Sequence, residues 1–222
     1  MGFAAIEANL KRRRKEMDRD LLQQRIESYK FFSYFFFATP DADLVEKVLA
    51  FNLTGEQIDE GSALLMKFIA QCKEGEKEQI VQDLKVDRTR LFHGLSEHGA
   101  RPPYESLYLK LTPNKVIGDL NRVYAAEGMT VDSSFHQSSD YIGVEINFLQ
   151  FLCEKELGAL DDNDLEQRVL WSKKQAEFFN NHLGLWAGGL TEEMLKFAQT
   201  DFYRAIALML RDFMSGEAEN FC

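Results

Sequence analysis

The chain has 222 residues, 45% of them hydrophobic and 12% aromatic, which is enough apolar material for one sizeable core and too much for a disordered segment. Its net charge of −10 is uneven: residues 1–25 carry seven basic and four acidic side chains, so the remaining 19 basic and 32 acidic residues form an acidic body. Such a body disfavours nonspecific nucleic-acid binding and attracts basic partners. Three widely spaced cysteines (Cys72, Cys153, Cys222) without a C-x-x-C argue against a disulfide framework or zinc site and suit a reducing compartment.

From the N-terminus, Glu7 interrupts a short apolar start and the basic run Lys11–Lys15 follows it, the reverse of a secretory leader. The run has two readings: a contact for nucleic acid or an anionic membrane, or a solvated helical extension with Glu7 and Lys11 paired four apart. The second is the simpler. Residues 1–24 are read as this extension and 25–222 as one domain. The apolar stretch Phe31–Ala38 is too short to span a bilayer, so the expectation is a cytoplasmic protein without stable membrane insertion. Thr39-Pro40-Asp41 ends that aromatic helix, and Asp41 or Asp43 caps the next. Thr54 before Glu56 marks a further helix start. Apolar positions then recur at helical spacing: Ile58, Leu65, Phe68, Ile69, Cys72; then Ile80, Leu84, Leu91. A central loop runs from Gly94 to Pro103, and Thr112-Pro113 opens a helix carrying Val116, Leu120 and Tyr124. After a polar loop, Gly128–Ser139, Ser138 or Ser139 caps a strongly apolar helix holding Glu145. Asp161–Asp164 starts the C-terminal bundle, in which Phe202, Ile206, Met209 and Phe213 share one face. Alternating period-two runs are nearly absent. The chain reads as all-α, a single-domain helical bundle.

No phosphate-cradling glycine loop, H-E-x-x-H, E-x-x-H or nucleophile elbow occurs. His93, His98 and His136 lie in or beside loops and could converge with Asp140 into a metal or acid–base site. Without metal-type spacing they read more simply as loop histidines. His182 suits a helix end. Asp140 and Glu145, five apart, do not share a helix face, so Asp140 is placed in a first turn and Glu145 among buried polar groups. No catalytic residue, metal or cofactor is assigned.

The remaining motifs carry a resemblance. Thr89-Arg90-Leu91-Phe92, Pro102-Pro103-Tyr104-Glu105-Ser106-Leu107-Tyr108, Tyr124–Gly128 and Asp140-Tyr141-Ile142-Gly143-Val144-Glu145 follow in the order and spacing of the TorD/DmsD/NarJ-type chaperones that mature molybdenum oxidoreductases. His182–Trp186 and Asp201–Ala205 resemble that family's last helices. The chain departs from the pattern at Ser138 and Tyr141, where the family often has proline and histidine. The resemblance implies a non-enzymatic, TorD-like chaperone, monomeric or homodimeric. It implies binding of the twin-arginine signal peptide and apo-form of a molybdopterin oxidoreductase. The peptide-binding residues it implies are Leu91, Phe92, Pro103, Tyr104, Tyr108, Asp140, Tyr141 and Glu145. The alternatives are a NarJ-like factor for a non-exported subunit and a metal-dependent enzyme built on the histidine loops. A nucleotide-dependent switch has no site in the sequence.

Overall fold

The fold is organised by one long helix. In the computed structural model, which describes residues 2–50, 59–94, 99–130 and 137–221, α1 runs from Gly2 to Phe37. Nothing in the sequence interrupts it before Thr39-Pro40, and its 36 residues span about 54 Å. It passes unbroken through the expected boundary at residues 24 and 25, and burial begins at Leu22. Leu22, Ile26, Tyr29, Phe32 and Phe36 then form a stripe at spacings of three and four that packs on α7 and α10.

Nine further helices are described: α2 (Ala42–Leu49), α3 (Glu60–Glu74), α4 (Lys77–Phe92), α5 (Glu105–Tyr108), α6 (Pro113–Ala126), α7 (Ile142–Asp161), α8 (Leu165–Asn181), α9 (Leu183–Phe197) and α10 (Asp201–Asn220). No strand occurs among the described residues, only an isolated bridge between Tyr104 and Tyr141. The all-α bundle expected from the sequence is therefore the fold. α7 lies at its centre, in contact with α1, α8 and α9, and 12 of its 20 residues are buried.

Several ends are capped as the sequence predicts. Asp41 accepts from Leu44 N at 2.9 Å, Asp164 accepts from Gln167 N at 3.0 Å, and Pro113 occupies the first turn of α6. α3 begins at Glu60 with Asp59 as its cap, while Thr54 and Ile58 lie outside the described residues. α7 departs from expectation. Its cap position is Tyr141 and makes no side-chain cap. Ser138 Oγ donates to Asp140 and Ser139 Oγ to Asn121, so neither serine caps the helix. Asp140 lies one residue before the cap, outside the first turn.

The aromatic residues account for much of the packing. Phe35 and Phe68 both meet Phe202, Phe36 meets Phe92, Phe92 meets Tyr203, and Tyr29 and Phe32 both meet Phe213. Gly143 lets α7 come against the end of α1, since a Cβ there would stand 2.7 Å from the Phe37 ring. Cys72 and Cys153 are buried free thiols, and burial pushes them up to about 11 and about 12. Neither is a reactive thiolate.

Candidate functional site

A helix leaves its last four carbonyls without intrahelical donors. At the end of α1 two of them, Phe35 O and Phe36 O, are met by residues more than 50 positions away. Arg88 donates to Phe36 O at 2.8 Å, and Tyr141 Oη donates to the same oxygen at 2.6 Å. The Arg88 guanidinium also lies 4.7 Å from the centroid of the Phe92 ring. Burial pushes the Tyr141 phenol up to about 12, although Arg88 opposes the shift. Tyr141 therefore stays a neutral donor across the physiological range.

One residue earlier, Asp87 serves the opposite end of another helix. Its carboxylate, 1% exposed, accepts from Gln199 N, Thr200 N and Thr200 Oγ1 ahead of α10 and pairs with Arg90 at 2.7 Å. Anionic side chains suit a helix N-terminus. The run Asp87–Phe92 thus ties the end of α1 to the start of α10. Neither Asp87 nor Arg88 could be given a role from the sequence, because their partners lie 112 or 113 and 52 residues away.

The proline–tyrosine loop is held by the start of α7. Ile142 N donates to Pro103 O and Glu105 N to Asp140 O, which makes the Tyr104–Tyr141 bridge. Asp140 Oδ2 accepts from Ser106 Oγ at 2.6 Å, and Ser138 Oγ donates to Oδ1. Tyr108 packs on Trp186, donates to Arg101 O, and lies under the Arg101 guanidinium, which pairs with Glu193 at 2.6 Å.

Behind this loop two carboxyl groups and a histidine meet. Glu145 is fully buried, and its Oε2 accepts from Trp186 Nε1 at 3.2 Å. Its Oε1 faces no ordinary donor; its neighbour is the Glu105 carboxylate. Burial first, and the charge of Glu105 second, hold the Glu145 carboxyl well above the usual carboxylate range. The pair is satisfied when Glu145 carries the proton and donates it to Glu105. Glu105 in turn lies 3.1 Å from His182 Nδ1, at the junction of α8 and α9. His182 thus meets a buried carboxylate as well as a helix end.

The eight residues proposed from the sequence are therefore gathered around one junction of α1, α4, α5 and α7. Six of them (Leu91, Phe92, Pro103, Asp140, Tyr141 and Glu145) are buried there, and Tyr104 and Tyr108 are half-buried at its edge, beside the exposed Leu107 and Leu111. Their hydrogen bonds and ring contacts are internal ones. Among the described residues no group of His, Cys, Asp and Glu could hold a metal ion, and no helix is long and apolar enough to cross a membrane. His98 and His136 lie outside the described residues. His93 closes α4.

The largest open cavity is elsewhere. A groove of about 980 Å³ is lined by Phe31, Phe32, Tyr34 and Phe35 of α1 and by Met209 and Phe213 of α10. Glu27, Asp59 and Asp212 lie on it, with Lys30 and Lys47. None of the eight residues lines it. Its only signal in the sequence is the apolar, aromatic run Phe31–Ala38, read there as a helix too short to span a bilayer.

Comparison with known proteins agrees with the motifs. Residues 55–192 match the family model described as nitrate reductase delta subunit. The chain is also 28% identical over 137 residues to the chaperone protein TorD of Vibrio parahaemolyticus serotype O3:K6 (strain RIMD 2210633). That match covers 59% of this chain and 60% of the relative, so it spans less than two thirds of the relative's length. With the match to the family model extending over more than half of its length, the chain belongs to the nitrate reductase delta subunit family, the TorD/NarJ type of chaperone.

Proposed function

We propose that this protein is a maturation chaperone that holds the apo-form of a molybdopterin oxidoreductase, with its twin-arginine signal peptide, until cofactor insertion is complete. Family membership supports the chaperone class. The observation that carries peptide binding is the aromatic groove between α1 and α10, whose concavity and apolar lining suit the apolar stretch of such a peptide. Its basic residues would meet Glu27, Asp59 or Asp212. No bond is made or broken in this function, and the chain acts by burying what the client exposes. Asp140, Tyr141 and Glu145 are then positioning residues: they fix the end of α1 and the adjoining loop from inside.

Two observations favour variants of this reading. Leu107 and Leu111 are exposed large apolar side chains beside Tyr104 and Tyr108, which suits a peptide laid along the loop edge instead. The matching family's description, nitrate reductase delta subunit, suits a client that is not exported.

Calorimetric titration of the full chain with a synthetic signal peptide tests the reading. Tyr34→Ala, at an exposed position on the groove, should weaken binding by about tenfold, as loss of an aromatic anchor does. Tyr104→Ala should then change it little. The reverse result moves the peptide to the loop edge. If neither variant matters and a peptide without its arginines binds equally well, signal-peptide recognition is wrong.

A further inference from the structure

The N-terminal half of α1 is used neither by the core nor by the groove. Lys15 Nζ donates to Asp161 O at 3.2 Å and to Asn163 Oδ1 at 2.7 Å, and Arg19 pairs with Asp161 at 3.0 Å. Asp161 is the last residue of α7, and Lys11 and Arg14 still share a cleft with Leu160 and Leu165, so α1 continues past these contacts on the N-terminal side of Lys11. Residues 2–10 make about 13 Å of helix there. Residues 9–14 are all exposed.

One face of α1, running from this arm onto the part of the helix that lies along the body, mixes two chemistries. Leu10, Met17 and Leu21, spaced seven and four apart, share that face and are 62%, 65% and 52% exposed. Arg13 and Arg14 lie between them at spacings of three and four. Lys11 and Arg12 pair with Glu7 and Glu16 along the helix, whereas no ion pair among the described residues uses Arg13 or Arg14. Beside the arm, the first turn of α8 adds Leu165, 70% exposed, and Val169. Leu165 lines a cleft of about 430 Å³ with Lys11, Arg14 and Lys15.

We propose that this face docks peripherally on an anionic lipid bilayer. An interfacial helix needs apolar side chains to enter the headgroup boundary and long basic side chains that reach back to phosphate. Leu10, Met17 and Leu21 supply the first, and Arg13 and Arg14 the second. The acidic body opposes approach to such a surface. At physiological salt a screening length of about 8 Å confines that opposition to the acidic side chains close to the face. A nucleic acid would use the arginines but leave the leucines and methionine in water. A second copy placed arm to arm would bring like charges together. The contact is weak and reversible, since one short basic helix gives a single anchoring signal.

Co-sedimentation of the full chain with vesicles tests this. Binding is expected to phosphatidylserine-containing vesicles, not to pure phosphatidylcholine, and should fall as salt rises. R13E/R14E should reduce it by about tenfold or more, two charges being reversed at the surface. L10S/M17S, which leaves the charge unchanged, should also reduce it. Both variants should keep the helical circular dichroism and the peptide affinity of the parent. No vesicle binding, or equal binding to both lipids, overturns the proposal. So does L10S/M17S binding like the parent, which would leave only a basic patch of the kind nucleic acid also uses. Concentration-dependent dimerisation abolished by R13E/R14E, without vesicle binding, would make the face a contact between copies.

Discussion

Two buried polar clusters lie on either side of the core, and they handle carboxylates in opposite ways. In the first, Arg25 meets Glu217 at 2.7 Å and Gln175 at 2.9 Å, Tyr29 Oη donates to Glu217, and Gln175 donates to Glu156. Burial, the largest single influence, lowers the Arg25 guanidinium; the Glu217 hydrogen bond and the negative charge of Glu217 and its acidic neighbours Tyr29 and Cys153 together outweigh it and keep the charge. In the second, Glu145 and Glu105 meet with no arginine or lysine bonded to either, and a proton takes the place of a counter-ion. The first cluster joins α1, α8, α10 and, through Glu156, α7 by opposite charges. The second joins α5, α7 and α9 by keeping one acid neutral. Burial of a carboxylate therefore does not fix its charge; the neighbour does.

The comparison predicts its largest effect in the ion pair. Arg25→Ala leaves Glu217 buried without its cation and should cost about 3–5 kcal/mol in urea unfolding. Arg25→Met with Glu217→Gln should recover part of that, because no uncompensated charge remains. If the single variant costs no more than a surface substitution, the cluster is not a fixed charge pair. The second effect is smaller. Glu145→Ala removes a neutral donor and strands the Trp186 N–H, for an expected loss of about 1–3 kcal/mol by the same measurement.

The smallest effect, and the sharpest in sign, belongs to Glu145→Gln. A carboxyl raised in the fold contributes its full stability only while protonated, below its unfolded value. That contribution is lost as pH rises through the raised folded value. Glutamine imitates the protonated form and does not ionise. Melting temperatures of parent and variant should therefore agree in acid and separate as pH rises, with the variant the more stable. Glu105, Asp140, His182 and Tyr124 face the site in both proteins, so parent and variant differ only in the group at position 145. Curves that stay parallel from acid to alkaline pH would show that Glu145 does not hold a proton.

What could be read from the sequence follows from range. Helix faces and local caps depend on neighbours within four residues, so Asp41, Thr112-Pro113 and Asp164 were legible. Glu145 was also read correctly as serving buried polar groups, because a lone acid inside an apolar helix has few other uses. The serines before α7 misled: they sit where caps sit, but Asp140 and Asn121 take their hydroxyls. Asp87, Arg88 and Arg25 could not be read, since their roles are defined by partners 52 to 192 residues away. Leu91 and Phe92, which the resemblance implied as peptide-binding residues, are both buried, Phe92 against Phe36 near the end of α1. The aromatic groove was not legible. One helix supplies both core and groove rings, and spacing alone does not say which neighbours stop short.

The length of the Arg25–Glu217 link also bears on how the chain is made. The two residues are 192 positions apart, so at roughly 5–20 residues per second a ribosome releases the second about 10–40 s after the first. Through that interval the aromatic half of α1 exists without α10, and Phe32, Phe35 and Tyr29 have no Phe202 or Phe213 to meet. A protein whose proposed task is to shelter unfinished chains passes through that state itself, its stickiest helix made well before the helix that covers it.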